Sequence, residues 1–346
     1  MNIFDLFTTQ NMVAYWTEKD LNDPKVGDQL FPFKKENGLD VSWVKGSNNQ
    51  PVGIRLSAWD AKSIRRDREG ISKYNAEMPY FKESMVVDEK TRQELLTAMQ
   101  TNNPAIIKPI LVKIFDDNTK LIKACYETTE RARMQMLTTG TITLGSNGQS
   151  YTYDYGMPAD NKQTVATAWS NANADPIQDI IDAQNEAKAK GIKLTRAMCA
   201  SECLNALLNN TNIKNRLYVL AQGNITITAD EIRKYIEQTT GIRIYVNDNG
   251  YIDESTGTFT KYFASDVFVL MPEGPLGNTH YGTTPAEADL MAGSKADVSL
   301  IDNAIALLNR KEIDPVLLET IVSMVMLPSF DRADAVWVID TDPSTI

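Results

Sequence analysis

One apolar stripe through residues 104 to 138 constrains this chain more than any other feature. Asn103-Pro104 is a start signal, with proline in the first turn, where its missing N–H is no loss. From there Ile107, Leu111, Ile114, Leu121, Cys125, Ala132 and Met136 recur at steps built from three and four residues, which places them on one helix face. A continuous helix here holds about 33 residues and reaches about 50 Å at 1.5 Å per residue. Asp116-Asp117-Asn118 is the point at which it could break. Gly140 closes it in the manner expected of a helix C-terminus. An element of this length crosses a whole domain and serves as its spine.

Extended chain precedes the spine. Residues 1–40 hold a short amphipathic segment from Ile3 to about Trp16, then helix breakers at Asp23-Pro24, Gly27 and Phe31-Pro32-Phe33. Phe4, Phe7, Trp16 and the other large apolar residues of this arm must be covered either by their own domain or by a neighbour. Residues 41–88 read as strands at Val41 to Val44, Gly53 to Trp59 and Tyr80 to Val87. Between the last two, Asp60 to Asn75 sets Lys62, Arg65, Arg66, Arg68 and Lys73 against Asp60, Asp67 and Glu69, with a turn at Gly70. Such a charged run is ordinarily a solvated loop. As a long two-stranded hairpin it is marginal alone and gains from lying on another subunit.

Beyond the spine, Thr141 to Leu144 and Ser150 to Tyr155 alternate apolar and polar residues around Gly145-Ser146-Asn147-Gly148, a hairpin. Residues 165–271 alternate helix and strand. Asp175-Pro176 opens a helix that ends at Gly191; Leu194 to Ala200 is a strand and Ser201 to Asn210 a short helix. Thr228, with Glu231 three residues on, opens a capping-box helix that ends at Gly241. Ile242 to Val246 and Asp266 to Met271 are strands, with a turn at Asn249-Gly250. After a Gly/Pro-rich run from Pro272 to Pro285, two strands, Val316 to Leu327 and Ala335 to Ile339, finish the chain. The class is α+β, with a compact α/β part within it.

Charge and cysteine content narrow the function. The net charge is -10 over 346 residues, and the run from Asp331 to Ile346 is acidic. A protein that gathers nucleic acid through phosphates needs a basic patch or tail, and none is visible. Cys125, Cys199 and Cys203, with His280 the single histidine, make neither a disulfide framework nor a convincing zinc set. They read as buried small apolar side chains in a reducing compartment. No apolar run is long enough for a membrane span, and the N-terminus lacks the basic region of a signal peptide. His280 reads as a loop residue without a nucleophile elbow, and no phosphate-binding loop or dinucleotide fingerprint occurs. No catalytic, cofactor or metal residue is expected. Carboxylates are too many for any pair to stand out, which leaves a carboxylate-based hydrolase as the enzymatic alternative.

The order of arm, charged hairpin, spine helix, β-hairpin, α/β subdomain and terminal strands resembles that of the major capsid proteins of lambda-type tailed bacteriophages, the phage capsid protein E family. Ala58 to Val87 carries part of the likeness. So does Ala132 to Gly156, followed by Trp169-Ser170 and Asp175-Pro176-Ile177-Gln178-Asp179-Ile180. Gly277-Asn278-Thr279, Tyr281-Gly282-Thr283-Thr284-Pro285 and the ending from Asp314-Pro315 through Ser323 to Phe330 add to it, so that it covers nearly the whole chain.

The resemblance implies the tailed-phage major capsid fold: an N-terminal arm (1–40), an extended β-hairpin loop with flanking strands (41–88), a spine-helix peripheral domain (89–165 and 272–327) and an α/β axial domain (166–271 and 328–346). It implies a head-shell protein that assembles with itself into hexamers and pentamers of an icosahedral head around double-stranded DNA. Portal, scaffold and decoration proteins would be partners, and DNA would be enclosed without sequence-specific binding. Assembly would take place in the host cytoplasm, and the protein would reside in the virion. Phe4, Phe7, Trp16, Trp59, Lys62, Arg65, Arg66, Arg68 and Lys73 become candidates for contacts between subunits. Some relatives cross-link a loop lysine to a neighbour's asparagine; Lys62 and Lys73 lie in the matching region, but no partner asparagine is placed. A bacterial nanocompartment shell enclosing an enzyme is the nearer alternative. A chain that starts at Met1 with no long helical prefix is expected to carry no large built-in scaffolding segment.

Overall fold

The computed structural model describes residues 8–19, 25–44, 73–100, 104–146, 149–217, 228–253, 256–293, 297–314 and 316–345. The strand expected at Gly53 to Trp59 and most of the charged run after it lie outside these residues. Helix α1 (Thr9–Glu18) is capped by the Thr8 hydroxyl, which accepts the Asn11 N–H at 3.3 Å. Helix α2 (Val26–Leu30) and strands β1 (Phe33–Lys35), β2 (Asp40–Val44), β3 (Lys73–Glu77) and β4 (Tyr80–Val87) follow. Helix α3 (Glu89–Gln100) begins where Asp88 accepts the Thr91 N–H at 2.9 Å, a bond that holds the Asp88 carboxyl below its ordinary value.

The spine is helix α4 (Pro104–Thr139), 36 residues without a break. Asp116-Asp117-Asn118 does not interrupt it, because these side chains bond away from the helix backbone. Asp116 accepts from the Tyr15 hydroxyl at 2.6 Å and from Lys19 at 3.2 Å, and Asp117 pairs with Lys120 at 2.7 Å. Gly140 ends the helix at φ +72°, its N–H donating to the Met136 carbonyl at 2.8 Å.

The chain continues through β5 (Thr141–Ser146), β6 (Gln149–Asp154), β7 (Lys162–Thr164), α5 (Pro176–Ala189), β8 (Arg196–Cys199), α6 (Ser201–Asn209), α7 (Thr211–Leu217) and α8 (Ala229–Thr240). Then come β9 (Arg243–Val246), β10 (Gly250–Ile252), β11 (Phe259–Lys261), β12 (Val267–Met271), β13 (Thr279–Tyr281) and α9 (Pro285–Met291). Strands β14 (Asp297–Ile301), β15 (Ile305–Ile313), β16 (Val316–Pro328) and β17 (Trp337–Asp340) complete it. Two compact units result: Met1–Ser42, Asn75–Ala132 and Asn278–Ser329 form the first, and Trp43–Tyr74, Arg133–Gly277 and Phe330–Ile346 the second. The division falls inside α4. The β5–β6 hairpin, grouped by the sequence with the spine, therefore packs in the second unit, where the following Tyr155 meets Trp43 at 5.5 Å and Phe330 at 6.3 Å.

In the first unit the sheet runs β1-β13-β16-β15-β14, and β4 also pairs with β16. Every side chain of β16 from Thr320 to Pro328 is buried, so the strand shows a continuous run and no two-residue period. The β14–β15 turn passes through Asp302 and Asn303, both in left-handed backbone at φ +50° and +53°. Helix α1 is fixed to β14 by Asp297, which accepts the Thr9 N–H at 3.1 Å and the Thr9 hydroxyl at 2.8 Å. His280 is not a loop residue. It stands in β13, opposite Lys34 of β1 and Leu327 of β16, is 1% exposed, and has Nδ1 2.9 Å from Glu36 Oε1. The glycines and prolines around it punctuate a strand so short that only its pairing partners define it. Burial pushes the Cys125 thiol up to about 12.

In the second unit the sheet runs β7-β17-β12-β8-β9, with β12 antiparallel to both its neighbours and the outer pairs parallel. Its core gathers Trp169, Ile177, Ile180, Phe268 and Trp337. The tryptophan and acidic-proline pattern of the sequence proves to be a packing device. Asp175 caps α5 by accepting the Gln178 N–H at 3.3 Å, and Pro176 takes the first turn. One turn on, Asp179 accepts the Trp169 indole N–H at 2.8 Å and fixes that ring 5.2 Å from Phe268. Burial raises the Asp179 carboxyl above its ordinary value, and the indole bond only partly counters it. The Thr228–Glu231 capping box forms as expected. Gly250 does not make a turn; it opens β10, because a Cβ there would lie 2.3 Å from the Thr260 carbonyl oxygen across the hairpin. Cys199 and Cys203 are buried free thiols, and the bond to Cys199 together with burial holds Cys203 well above its ordinary value.

Candidate assembly surface

Strands β2 and β3 form the base of the expected loop. They pair with each other and, among the described residues, join no other strand. Trp43 stacks on Tyr74 across them at 5.8 Å. Lys73 is the first residue of β3. Phe4, Phe7, Trp59, Lys62, Arg65, Arg66 and Arg68 lie outside the described residues. Trp16 sits in α1, 4% exposed and stacked on Tyr126 at 5.9 Å, so its ring is covered within its own unit.

Two further surfaces were not singled out by sequence reasoning. Strand β4 pairs only with β16 among the described residues, and Tyr80, Lys82, Ser84 and Val86 alternate along its exposed face. The signal was available: Phe81, Met85 and Val87 already serve one face, so Tyr80 and Val86 put apolar residues on the other as well. In the second unit, Ile252 and Phe259 are direct cross-strand partners on the β10–β11 hairpin and are 64% and 59% exposed. Tyr251 stacks on Tyr262 at 5.7 Å beneath them.

That hairpin is held firmly at its base. Lys261 Nζ lies 2.7 Å from the Glu202 carboxylate, 2.9 Å from Asp248 and 3.3 Å from the Ser201 hydroxyl, and Asp248 also accepts the Ser201 N–H at 2.9 Å. Lys261 lowers the Glu202 carboxyl. At Asp248 burial works the other way, but Lys261 and Ser201 outweigh it and the carboxyl falls. Glu202 and Asp248 in turn raise Lys261. These bonds tie the base of the hairpin to the start of α6, while the Ile252–Phe259 pair stays exposed to solvent.

Comparison with known proteins bears on the family and the fold. No curated protein sequence matches the chain. Among solved structures, a phage-related protein from Bordetella bronchiseptica RB50 matches with a TM-score of 0.57 and 14% identity, over 96% of this chain and 97% of that one. A protein assigned as the capsid protein of a prophage of E. coli CFT073 matches with a TM-score of 0.54 and 18% identity, over 78% and 80%. The capsid of cyanophage A-1(L) gives 0.51 and 14%, over 90% and 91%. At these identities the likeness speaks for the fold, which is the tailed-phage capsid fold expected from the sequence. The sequence model of phage major capsid protein E matches residues 8–340. The chain thus belongs to the phage major capsid protein E family, and it is a structural subunit that assembles into the shell of a phage head.

Proposed function

We propose that the chain builds the hexamers and pentamers of an icosahedral head enclosing double-stranded DNA. The observation that carries this reading is the β2–β3 pair, a ribbon joined to no third strand among the described residues. A two-stranded ribbon is marginal in water alone. Laid on a neighbouring subunit, the loop it supports would gain a further partner. Trp59, Lys62, Arg65, Arg66, Arg68 and Lys73 are then the loop's contact residues, and Phe4 and Phe7 those of the arm, Trp16 being occupied in its own unit. The unit built on β16 and most of α4 takes the peripheral role, and the α/β unit takes the axial role, meeting its copies at the capsomer centre.

Portal, scaffold and decoration proteins complete this scheme as partners, with assembly in the host cytoplasm. DNA enters by force and is not gathered by charge, in keeping with a net charge of -10. The role is architectural and needs no catalytic group. Negative-stain microscopy and light scattering of the protein expressed alone, then with its neighbouring assembly genes, test the reading. Closed shells, tubes, or rings of five or six subunits are expected. A protein that stays monomeric in both settings, across salt and concentration, would sink it.

A further inference from the structure

Three arginines of the second unit converge on the turn Pro272-Glu273-Gly274. Arg196 of β8 donates from Nε and Nη2 to the Pro272 carbonyl at 3.0 and 2.6 Å, and from Nη2 to the Gly274 carbonyl at 2.5 Å. Arg243 is its register partner on β9, with Nη2 3.0 Å from Glu273 Oε2. Arg332 donates from Nη1 to the Glu273 carbonyl at 3.0 Å. Among the described residues, the one carboxylate bonded to any of the three is that of Glu273. Three guanidinium charges against one carboxylate leave an excess of two positive charges on a chain with 35 basic and 45 acidic residues. Burial lowers the Arg196 guanidinium from its ordinary value, and Arg332 and Arg243 lower it further against the opposing pull of Glu273.

The cluster is placed where another molecule can reach it. Strand β9 ends the sheet order, and Tyr245, two residues from Arg243 on the same strand face, is exposed. Arginine beside an exposed aromatic ring is the composition that dominates binding energy at protein contacts. We propose that this cluster receives a carboxylate-bearing surface of a second copy of the chain, an inference that rests on the head-shell reading. A guanidinium fork matches a carboxylate with two parallel hydrogen bonds, and the acidic surplus of every neighbouring copy supplies such groups. At range the net charge of -10 opposes both, but far more strongly a duplex with one phosphate charge per about 1.7 Å than a second copy whose acidic groups are interspersed with basic ones, which favours the copy as the occupant.

Sedimentation equilibrium of the full chain decides it, comparing wild type with Arg243→Gln/Arg332→Gln at about 50 mM and about 500 mM salt. Wild type is expected to associate, less at high salt. The double variant is expected to associate about tenfold more weakly at low salt and to lose most of the salt dependence. Coincident thermal melts exclude a folding defect. Arg243→Glu, which cuts no bond to the backbone of the turn, repeats the test alone, and Arg243→Lys should keep the salt response. If the double variant associates like wild type with the same salt response, the proposal falls while the shell reading stands. If wild type shows no association at any concentration, the proposal falls, and the shell reading is then decided by the protein expressed with its neighbouring assembly genes. If instead the cluster retards a short duplex DNA and the variant does not, the occupant is a phosphate and the proposal is overturned.

Discussion

Lys35 shows how much order a single charged side chain can carry. Its Nζ lies 2.7 Å from Glu287 Oε2, on a side chain only 3% exposed, and 3.2 Å from the Gly282 carbonyl. It thereby ties β1 to the first turn of α9. Lys35→Met should cost about 3 kcal/mol in urea unfolding, because it strands a buried carboxylate without its partner. Glu287→Gln added to that variant should recover part of the loss. Neither residue stood out in the sequence, since a lysine and a glutamate 252 positions apart give no local signal. Gly250 and His280 were misread for a related reason. A glycine beside asparagine looks like a turn, and a histidine among glycines looks like a loop, until the strand across from each is known. Trp169 and Asp175-Pro176 were legible because the bonds that matter there span ten residues or fewer.

Among the elements, the spine was the most legible and its end is the most sensitive point. A Cβ on Gly140 would lie 2.7 Å from Met157 Cβ, in backbone at φ +72°. Gly140→Ala should therefore destabilise by about 1–3 kcal/mol, read from the urea midpoint. The β10–β11 hairpin gives a pH prediction. Glu202 and Asp248 are lowered in the folded protein, so their contribution is fully present above their unfolded values and is lost as pH falls through the lower folded ones. Lys261 is raised, so its share fails only on the alkaline side of its ordinary value. Amide exchange in the hairpin, corrected for intrinsic rate, should be flat near neutrality and climb below the ordinary carboxylate range. Lys261→Met should abolish that step. Strands β14 and β15 escaped notice because Asp302 and Asn303 make their turn without glycine or proline, although both residue types tolerate left-handed backbone. Helix α9 carried a readable start, with Thr284 accepting the Glu287 N–H at 3.1 Å and Pro285 in the first turn.

For the molecule as a whole, charge is the property that reads most directly from composition. With a net charge of -10, the subunit should not retard duplex DNA at about 0.1 M salt, and a clear mobility shift would contradict a container filled by force. The capsid class was legible from the order of parts, while the exposed apolar pair at Ile252 and Phe259 was not, because exposure is a property of the finished fold. One consequence of the sheet's wiring concerns time. Strand β16 sits between β4 and β15, pairing Tyr80 with Val325 and Val87 with Leu318. Ribosomes build proteins from the N-terminus, so β4 waits for nearly the whole chain before its partner exists. A polypeptide released early, short of Val316, would own the rim of the sheet without its middle. Translation thereby acts as an inspector, and only a finished message yields a brick that can be laid.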